Sequence, residues 1–240
     1  MMGELVEMHE RGYVETVPHY NSIMEYTERD DVVDLLRALI EESTLPLRAV
    51  ETDFAVDSSG FTTGKCSRWF DEKYNRMRTQ HEWLKIHVMC GVRTHVVTAV
   101  EITGANGADA PQFPGLVSST ADRFQVREVS ADKAYLSRAN LAAVHALGAV
   151  PYVPFKVNSS GGEGSTLWRK MFHYYQYKRE EFLQHYHQRS NVETVMLMIK
   201  SKFGETLRSR TYAAQVNELL CKVIAHNLCV LVSSVYELGI

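Results

Sequence analysis

The chain has 240 residues, of which 45% are hydrophobic and 23% are charged, and its formal net charge is −3 at pH 7. This composition is sufficient for one large domain with a substantial core, and it excludes a histone-like polycation and a highly charged disordered chain. The charge is unevenly distributed, because residues 1–53 carry 13 Asp and Glu against 4 Lys and Arg, a balance of −9, which leaves +6 for residues 54–240.

Neither the cysteines nor the apolar segments indicate export. The four cysteines are widely separated, and the N-terminal residues lack the basic and apolar regions of a signal peptide. The most apolar segment, residues 223–236, is interrupted by His226 and Asn227 and is shorter than the roughly 18 apolar residues of a membrane span. We therefore predict a cytoplasmic protein without a membrane segment, with residues 223–236 in a buried helix.

The first predicted element is an amphipathic helix over residues 31–42. Val32, Leu35, Leu36, Leu39 and Ile40 fall on one stripe of this helix, and its polar face is acidic. We predict an acidic helical leader over residues 1–48 ahead of a body over residues 49–240. The leader helix either packs on the basic body or pairs two copies of the chain.

Strands and helices then alternate in a way that predicts a mixed α/β sheet with helices on both faces. The predicted strands are residues 49–61, which end in a turn, two strands of a hairpin over 84–104, residues 124–132 and residues 150–156. The predicted helices are residues 111–123, 137–148, 167–202 and 211–236.

Three carboxylates are candidates for a metal site. Asp57 and Asp132 lie where predicted strands end, and Glu193 lies on a helix that could cross those ends. Each also has an ordinary alternative: Asp57 in a turn, Asp132 as a helix cap, and Glu193 in a capping box with Ser190. Together, three converging carboxylates would form an all-oxygen site suited to Mg²⁺.

Residues around Glu193 extend this interpretation. Tyr186, Arg189, Glu193 and Lys200 lie within about 60° of one another if the helix is continuous. This arrangement is compatible with a solvated charged stripe, and it also suits a site for metal and phosphate.

The same four residues, with two, three and six residues between them, resemble the signature of DDE transposases of bacterial and archaeal insertion sequences. The segments VDSSGF (56–61), WLKIHV (83–88) and SADKAYLS (130–137) are similar to the family's first-aspartate segment, following strand and second-aspartate segment. The resemblance extends from about residue 18 to residue 240. It implies a ribonuclease-H-like fold with Asp57 on the first strand, Asp132 just after the fourth and Glu193 on a following helix.

The resemblance also implies an enzyme with endonuclease and strand-transfer activity. Asp57, Asp132 and Glu193 would hold two Mg²⁺ ions, with Mn²⁺ as an alternative, for nicking at the element ends and attack of the freed 3′-hydroxyl on target DNA. Arg189 and Lys200 would bind phosphates, and Tyr186 would pack against the same backbone. The implied partners are double-stranded DNA and a second copy of the chain, in the nucleoid region of a prokaryotic cytoplasm.

Other residues are candidates for DNA contact. Trp168 could stack on an unpaired base, although core packing is its commoner role. The basic candidates, which fit a solvated surface equally well, are Lys65, Arg68, Lys73, Arg76, Arg78, Lys202, Arg208 and Arg210.

Several polar residues are given structural roles instead. We interpret Asp109 as a helix cap, His185 and His187 as surface or DNA-facing residues, and His226 as a core histidine. Transposases of this kind usually carry an N-terminal helix-turn-helix region, and the acidic leader is a poor DNA binder by charge. Two alternatives to an active transposase follow: a stand-alone ribonuclease-H-like nuclease, and a truncated, catalytically silent remnant that binds DNA or interferes with a transposase.

Overall fold

A computed structural model describes residues 2–63, 83–162 and 165–239, in which five strands form one sheet of order β3-β2-β1-β4-β5. The pairs β1–β2 and β2–β3 are antiparallel, whereas β1–β4 and β4–β5 are parallel. The strands are β1 (Asp53–Thr62), β2 (Trp83–Gly91), β3 (Val97–Gly104), β4 (Glu128–Ala131) and β5 (Val150–Tyr152). The predicted mixed α/β sheet is confirmed, and the arrangement is consistent with a ribonuclease-H-like fold.

Helices precede, interrupt and follow the strands. The α-helices are α1 (Met2–Glu10), α2 (Tyr20–Thr27), α3 (Asp31–Glu42), α4 (Phe113–Ala121), α5 (Arg138–Ala146), α6 (Thr166–Tyr177), α7 (Arg179–Tyr186), α8 (Ser190–Phe203) and α9 (Tyr212–Leu238). Helix α5 illustrates why they begin and end where they do. The Ser137 side chain accepts a hydrogen bond from the Asn140 amide at its start, and Gly148, at φ +76°, follows its end.

The sheet separates two layers of apolar side chains. One layer holds Phe54 and Val56 of β1 together with residues of α4 to α7. The other holds Ala55 and Phe61 of β1 together with residues of α3, α8 and α9. Because side chains alternate along a strand, Asp57 shares a face with Ala55 and lies on the α8 side of the sheet.

The predicted helix α3 packs on the sheet of its own chain. Val32, Leu36 and Ile40 are buried in the second layer, whereas Leu35 and Leu39 are 49% and 45% exposed. The Arg37 guanidinium also pairs with the Glu101 carboxylate of β3 at 2.9 Å. Packing on the body is therefore the arrangement that this helix adopts. The boundary at residue 48 stays a prediction.

Strand β1 corrects one expectation. The sequence predicted a turn after Asp57, but β1 continues to Thr62 in unbroken pairing with β2. A Cβ atom at Gly60 would lie 2.0 Å from the Trp83 ring. This glycine therefore allows a cross-strand ring to pack closely and does not form a turn.

Helix α9 covers nearly the same residues as the predicted helix 211–236. Residues Tyr212–Glu237 are long and apolar enough to cross a membrane by length and composition, with a mean hydropathy of 1.7. Part of this helix, including Leu219, Leu220 and Val223, is buried in the second layer. Its Asn227 side chain bonds to the backbone of Val97 on β3. These contacts are those of a core helix. The predicted buried helix over residues 223–236 is only partly buried, because Leu228, Val232 and Tyr236 are exposed.

Candidate active site

The two candidate aspartates lie on neighbouring parallel strands at the same level of the sheet. The last paired residues of β1 and β4 are Val56 and Ala131. Asp57 and Asp132 each follow directly, and adjacent strands lie about 4.8 Å apart. The sheet geometry therefore brings these two carboxylates together where the β1–β4 pairing ends.

Asp57 is held by contacts on both of its carboxylate oxygens. Oδ1 accepts a hydrogen bond of 2.8 Å from the Ser58 amide, and Oδ2 forms an ion pair with the Arg189 guanidinium. Burial raises the pKa of Asp57, and the negative charges of Asp132 and Glu193 raise it further. The hydrogen bond from the Ser58 amide and the charge of Arg189 act in the opposite direction. Asp132 and Glu193 are thus close enough to Asp57 for the three charges to interact.

Asp132 has the capping role that was considered for it. Its Oδ1 accepts a hydrogen bond of 3.0 Å from the Ala134 amide and so caps the short 3₁₀ turn Lys133–Tyr135. This cap does not use Oδ2. A capping bond at one oxygen fixes the side chain and is compatible with a ligand at the other.

Glu193 is joined to Asp57 through Arg189. The Arg189 guanidinium donates to the Glu193 carboxylate at 2.5 Å while it pairs with Asp57. Its side chain is 19% exposed, against 58% for Glu193. The capping box considered as an alternative role for Glu193 does not form, because the Ser190 hydroxyl donates to the His187 carbonyl and Glu193 accepts from Arg189.

The predicted continuous helix over the signature residues is interrupted. Helix α7 ends at Tyr186, a 3₁₀ turn covers His187–Arg189, and α8 begins at Ser190. Residues three apart eclipse one another in a 3₁₀ turn, and the Arg189 guanidinium lies 6.0 Å from the centre of the Tyr186 ring. The turn directs the Arg189 guanidinium toward Asp57 and places the Tyr186 ring beside it.

Lys200 lies two turns further along α8. Its Nζ is 5.2 Å from the centre of the Phe61 ring, four residues beyond Asp57 on β1. The Lys222 ammonium of α9 lies 5.7 Å from the same ring and bonds to the carbonyls of Gly204 and Thr206. Lys200 is therefore on the same side of the sheet as the carboxylates.

The remaining candidates for DNA contact lie elsewhere. Trp168 is partly buried in the first layer, with its ring 4.9 Å from Phe155 and its indole N–H bonded to the Ser160 carbonyl. Lys202, Arg208 and Arg210 are exposed beyond the α8 end of the site. The candidates that lie outside the described residues are Lys65, Arg68, Lys73, Arg76 and Arg78.

His185, expected to be a surface or DNA-facing residue, is half-buried, with its side chain 33% exposed. Its Nδ1 lies 2.7 Å from the Glu128 carboxylate of β4, and its ring stacks on Tyr152 of β5 at 4.5 Å. These contacts hold the end of α7 against the sheet directly before Tyr186. His187 is exposed, and His226 is fully buried with its Nε2 at 2.9 Å from the His95 carbonyl.

Asp109 is the residue that the sequence interpretation missed. It precedes a 3₁₀ turn, but its side chain makes no capping hydrogen bond. Instead, its Oδ1 lies 2.7 Å from Lys85 Nζ and 2.8 Å from Ser58 Oγ. Lys85 and His87, two polar residues on one face of a central strand, were the available signal, because such residues require a polar partner when buried.

The residues fit a divalent cation at two of the three carboxylates. Within residues 2–63, 83–162 and 165–239, no group of three His, Cys, Asp or Glu side chains is arranged to hold a metal ion. The Arg189 guanidinium pairs with both Asp57 and Glu193. Asp57 and Asp132 offer hard oxygen donors at the end of the β1–β4 pairing.

The chain matches a family of known proteins. A family model described as "Transposase DDE domain" matches residues 48–228, about three quarters of the chain. The matched range contains all five strands and each of the three carboxylates.

Proposed function

The chain belongs to the transposase DDE-domain family, and we propose that it is a DNA transposase that nicks DNA at insertion-sequence ends and transfers the freed 3′-hydroxyl to target DNA. The observation that carries this proposal is the juxtaposition of Asp57 and Asp132 at the end of the β1–β4 pairing, with Glu193 joined to Asp57 through Arg189.

The three carboxylates are the proposed ligands of divalent ions. Two Mg²⁺ ions held by Asp57, Asp132 and Glu193 would supply activation of the attacking water or 3′-hydroxyl and stabilisation of the leaving oxygen. The Ser58 amide fixes the orientation of the Asp57 carboxylate, and the Ala134 amide fixes that of Asp132. Both ligands are thus oriented before substrate arrives.

Arg189 neutralises the charges of Asp57 and Glu193, and it can bind a phosphate group in place of a carboxylate. Its planar guanidinium suits both carboxylate and phosphate oxygens, and it already bridges two acidic side chains. In the proposed reaction it leaves Glu193 and contacts the DNA backbone near the cut. Tyr186 supports it from one side, since the ring and the guanidinium are 6.0 Å apart.

The basic residues along α8 and beyond it extend the proposed contact with the DNA backbone. Lys200 lies beside β1, and Lys202, Arg208 and Arg210 are exposed further along the chain. Such contacts position the duplex and carry little base information. Because two element ends must be cut and joined, we further propose that two copies of the chain act together on DNA.

The test is a cleavage and strand-transfer assay with the DNA that flanks the element, in Mg²⁺ and in Mn²⁺. Asp57→Asn, Asp132→Asn and Glu193→Gln should each abolish cleavage while the far-UV circular dichroism spectrum is unchanged. Cleavage without joined products would favour the stand-alone nuclease, and no cleavage by the unmodified chain would favour the silent remnant. Full activity of any one folded variant would remove that residue from the site.

A further inference from the structure

Ser58 connects the two faces of β1 beside the proposed metal ligands. Its amide donates a hydrogen bond of 2.8 Å to Asp57 Oδ1 on the α8 side. Its side chain points to the opposite side, where its hydroxyl donates a hydrogen bond of 2.8 Å to Asp109 Oδ1. The position of Ser58 therefore affects the orientation of the Asp57 carboxylate directly.

Asp109 gathers donors from two strands at one carboxylate oxygen. In addition to Ser58 of β1, Lys85 Nζ of β2 lies 2.7 Å from Oδ1 and His87 Nδ1 of β2 lies 3.3 Å from it. Burial works to raise the pKa of Asp109, but the hydrogen bonds from Lys85 and Ser58 outweigh it, and its pKa lies below the usual value. The Asp109 carboxylate is 20% exposed and is held by charged and neutral donors, so its position in this part of the sheet is fixed.

The same cluster reaches the second aspartate through Tyr135. Tyr135 is buried, and its amide donates to the Asp132 carbonyl at 2.9 Å. Its hydroxyl lies 3.4 Å from His87 Nδ1, the same nitrogen that lies 3.3 Å from Asp109 Oδ1. His87 therefore connects the Tyr135 hydroxyl to the Asp109 carboxylate.

We propose that Asp109 is a positioning residue that sets the separation of the Asp57 and Asp132 carboxylates, acting on Asp57 through Ser58 and on Asp132 through His87 and Tyr135. This inference rests on the proposed function, since it concerns how two proposed metal ligands are held. Asp109 itself touches no reacting atom in this account. Without Asp109, Ser58 and Tyr135 lose the contacts that hold them in place. The Asp57 and Asp132 carboxylates are then no longer held at one fixed separation for binding a cation.

The experiment measures Mn²⁺ affinity without DNA, from the electron paramagnetic resonance signal of free Mn²⁺. Asp109→Ala and Ser58→Ala should each raise the Kd for Mn²⁺ about tenfold, at the low end of the range for residues that orient metal ligands. The double variant should bind Mn²⁺ no more weakly than either single variant, because both substitutions break the same chain of contacts.

A matched control lies at the other end of β1. Asp53 is an ion-paired carboxylate too, bonded to Arg127, with its side chain 16% exposed. Asp53→Ala should lower the melting temperature and leave the Kd for Mn²⁺ unchanged. An equal rise of the Kd in Asp53→Ala would mean general loosening of the sheet, and it would overturn the proposal.

The remaining outcomes separate this inference from the proposed function. An unchanged Kd for Mn²⁺ in folded Asp109→Ala overturns the inference. If Asp109→Ala does not fold, the smaller change Ser58→Ala decides in the same way. If the unmodified chain binds no Mn²⁺, or Asp57→Asn binds it equally well, the proposed function fails and the inference fails with it.

Discussion

Arg189→Ala provides the sharpest test of how the site is held together without metal. The substitution removes the cation that pairs with Asp57 and Glu193. The Arg189 and Asp57 side chains are only 19% and 21% exposed, so their ion pair should contribute about 1.5–3 kcal/mol to the free energy of unfolding, as hydrogen bonds to charged groups do. The more exposed ion pair between Arg189 and Glu193 should add less than about 1 kcal/mol.

The expected result is a melting temperature lowered by roughly 3–16 °C for a chain of this size, measured by circular dichroism in EDTA. A second substitution sharpens the test. Burial already raises the pKa of Asp57, so the charge left by Arg189→Ala is costly. Asp57→Asn in the Arg189→Ala background should therefore recover most of the lost stability, because it removes the unpaired charge.

The same variants connect stability to metal binding. Without the competing guanidinium, Mn²⁺ should raise the melting temperature of Arg189→Ala more than that of the unmodified chain. Asp57→Asn should show little increase. The reasoning is refuted if the double variant is less stable than Arg189→Ala, or if Mn²⁺ stabilises Arg189→Ala less than the unmodified chain.

Three further predictions concern DNA, the leader and pH. Lys200→Ala should weaken DNA binding across sequences and lower the log-log salt slope by about 0.9, measured by fluorescence anisotropy at several salt concentrations. Deletion of residues 1–45 should unfold the chain, because it removes the buried side chains Val32, Leu36 and Ile40, each worth about 1.5–3 kcal/mol; circular dichroism checks this, with deletion of residues 1–19 as the control. His226→Gln should flatten the loss of stability between pH 7 and pH 5, followed as the free energy of unfolding. Burial lowers the pKa of His226, with its hydrogen bond to the His95 carbonyl acting against this, so the stability from its neutral form is present above about pH 6.5 and is lost as pH falls, by at most about 1.4 kcal/mol per pH unit.

Each of these predictions has a clear contrary result. An unchanged salt slope in Lys200→Ala would place its ammonium away from the DNA. A folded chain without residues 1–45 would mean that α3 is dispensable to the core. An equally steep acid transition in His226→Gln would assign the acid sensitivity to other groups, of which the buried His87 is the first to test.

The strand and helix order was predictable because it depends on local patterns. Alternating apolar residues predicted β2 and β3 and the hairpin between them, and Ser137 and Gly148 marked the limits of α5. The turn after Asp57 was predicted wrongly from equally local information. Pairing with β2 and the close packing of Trp83 on Gly60 extend the strand, and neither partner is near in sequence.

The candidate site divides in the same way. The spacing of Tyr186, Arg189, Glu193 and Lys200 predicted a shared surface, and their resemblance to a transposase signature is matched by the family to which the chain belongs. The spacing did not predict the 3₁₀ turn before α8 or the salt bridge from Arg189 to Asp57. That salt bridge joins residues 132 positions apart, so it depends on how α8 crosses the sheet.

The sequence by itself determined which residues carry charge, which segments form strands and helices, and which family signature the chain bears, because these properties depend on residue type and near neighbours. The tertiary structure alone decided what each charge contacts. It turned Asp109 from an expected cap into the partner of Ser58 and Lys85, placed Asp57 beside Asp132 and put Arg189 between Asp57 and Glu193. A partly buried charge binds the nearest complementary group in space, and chain folding brings that group from a distant part of the sequence.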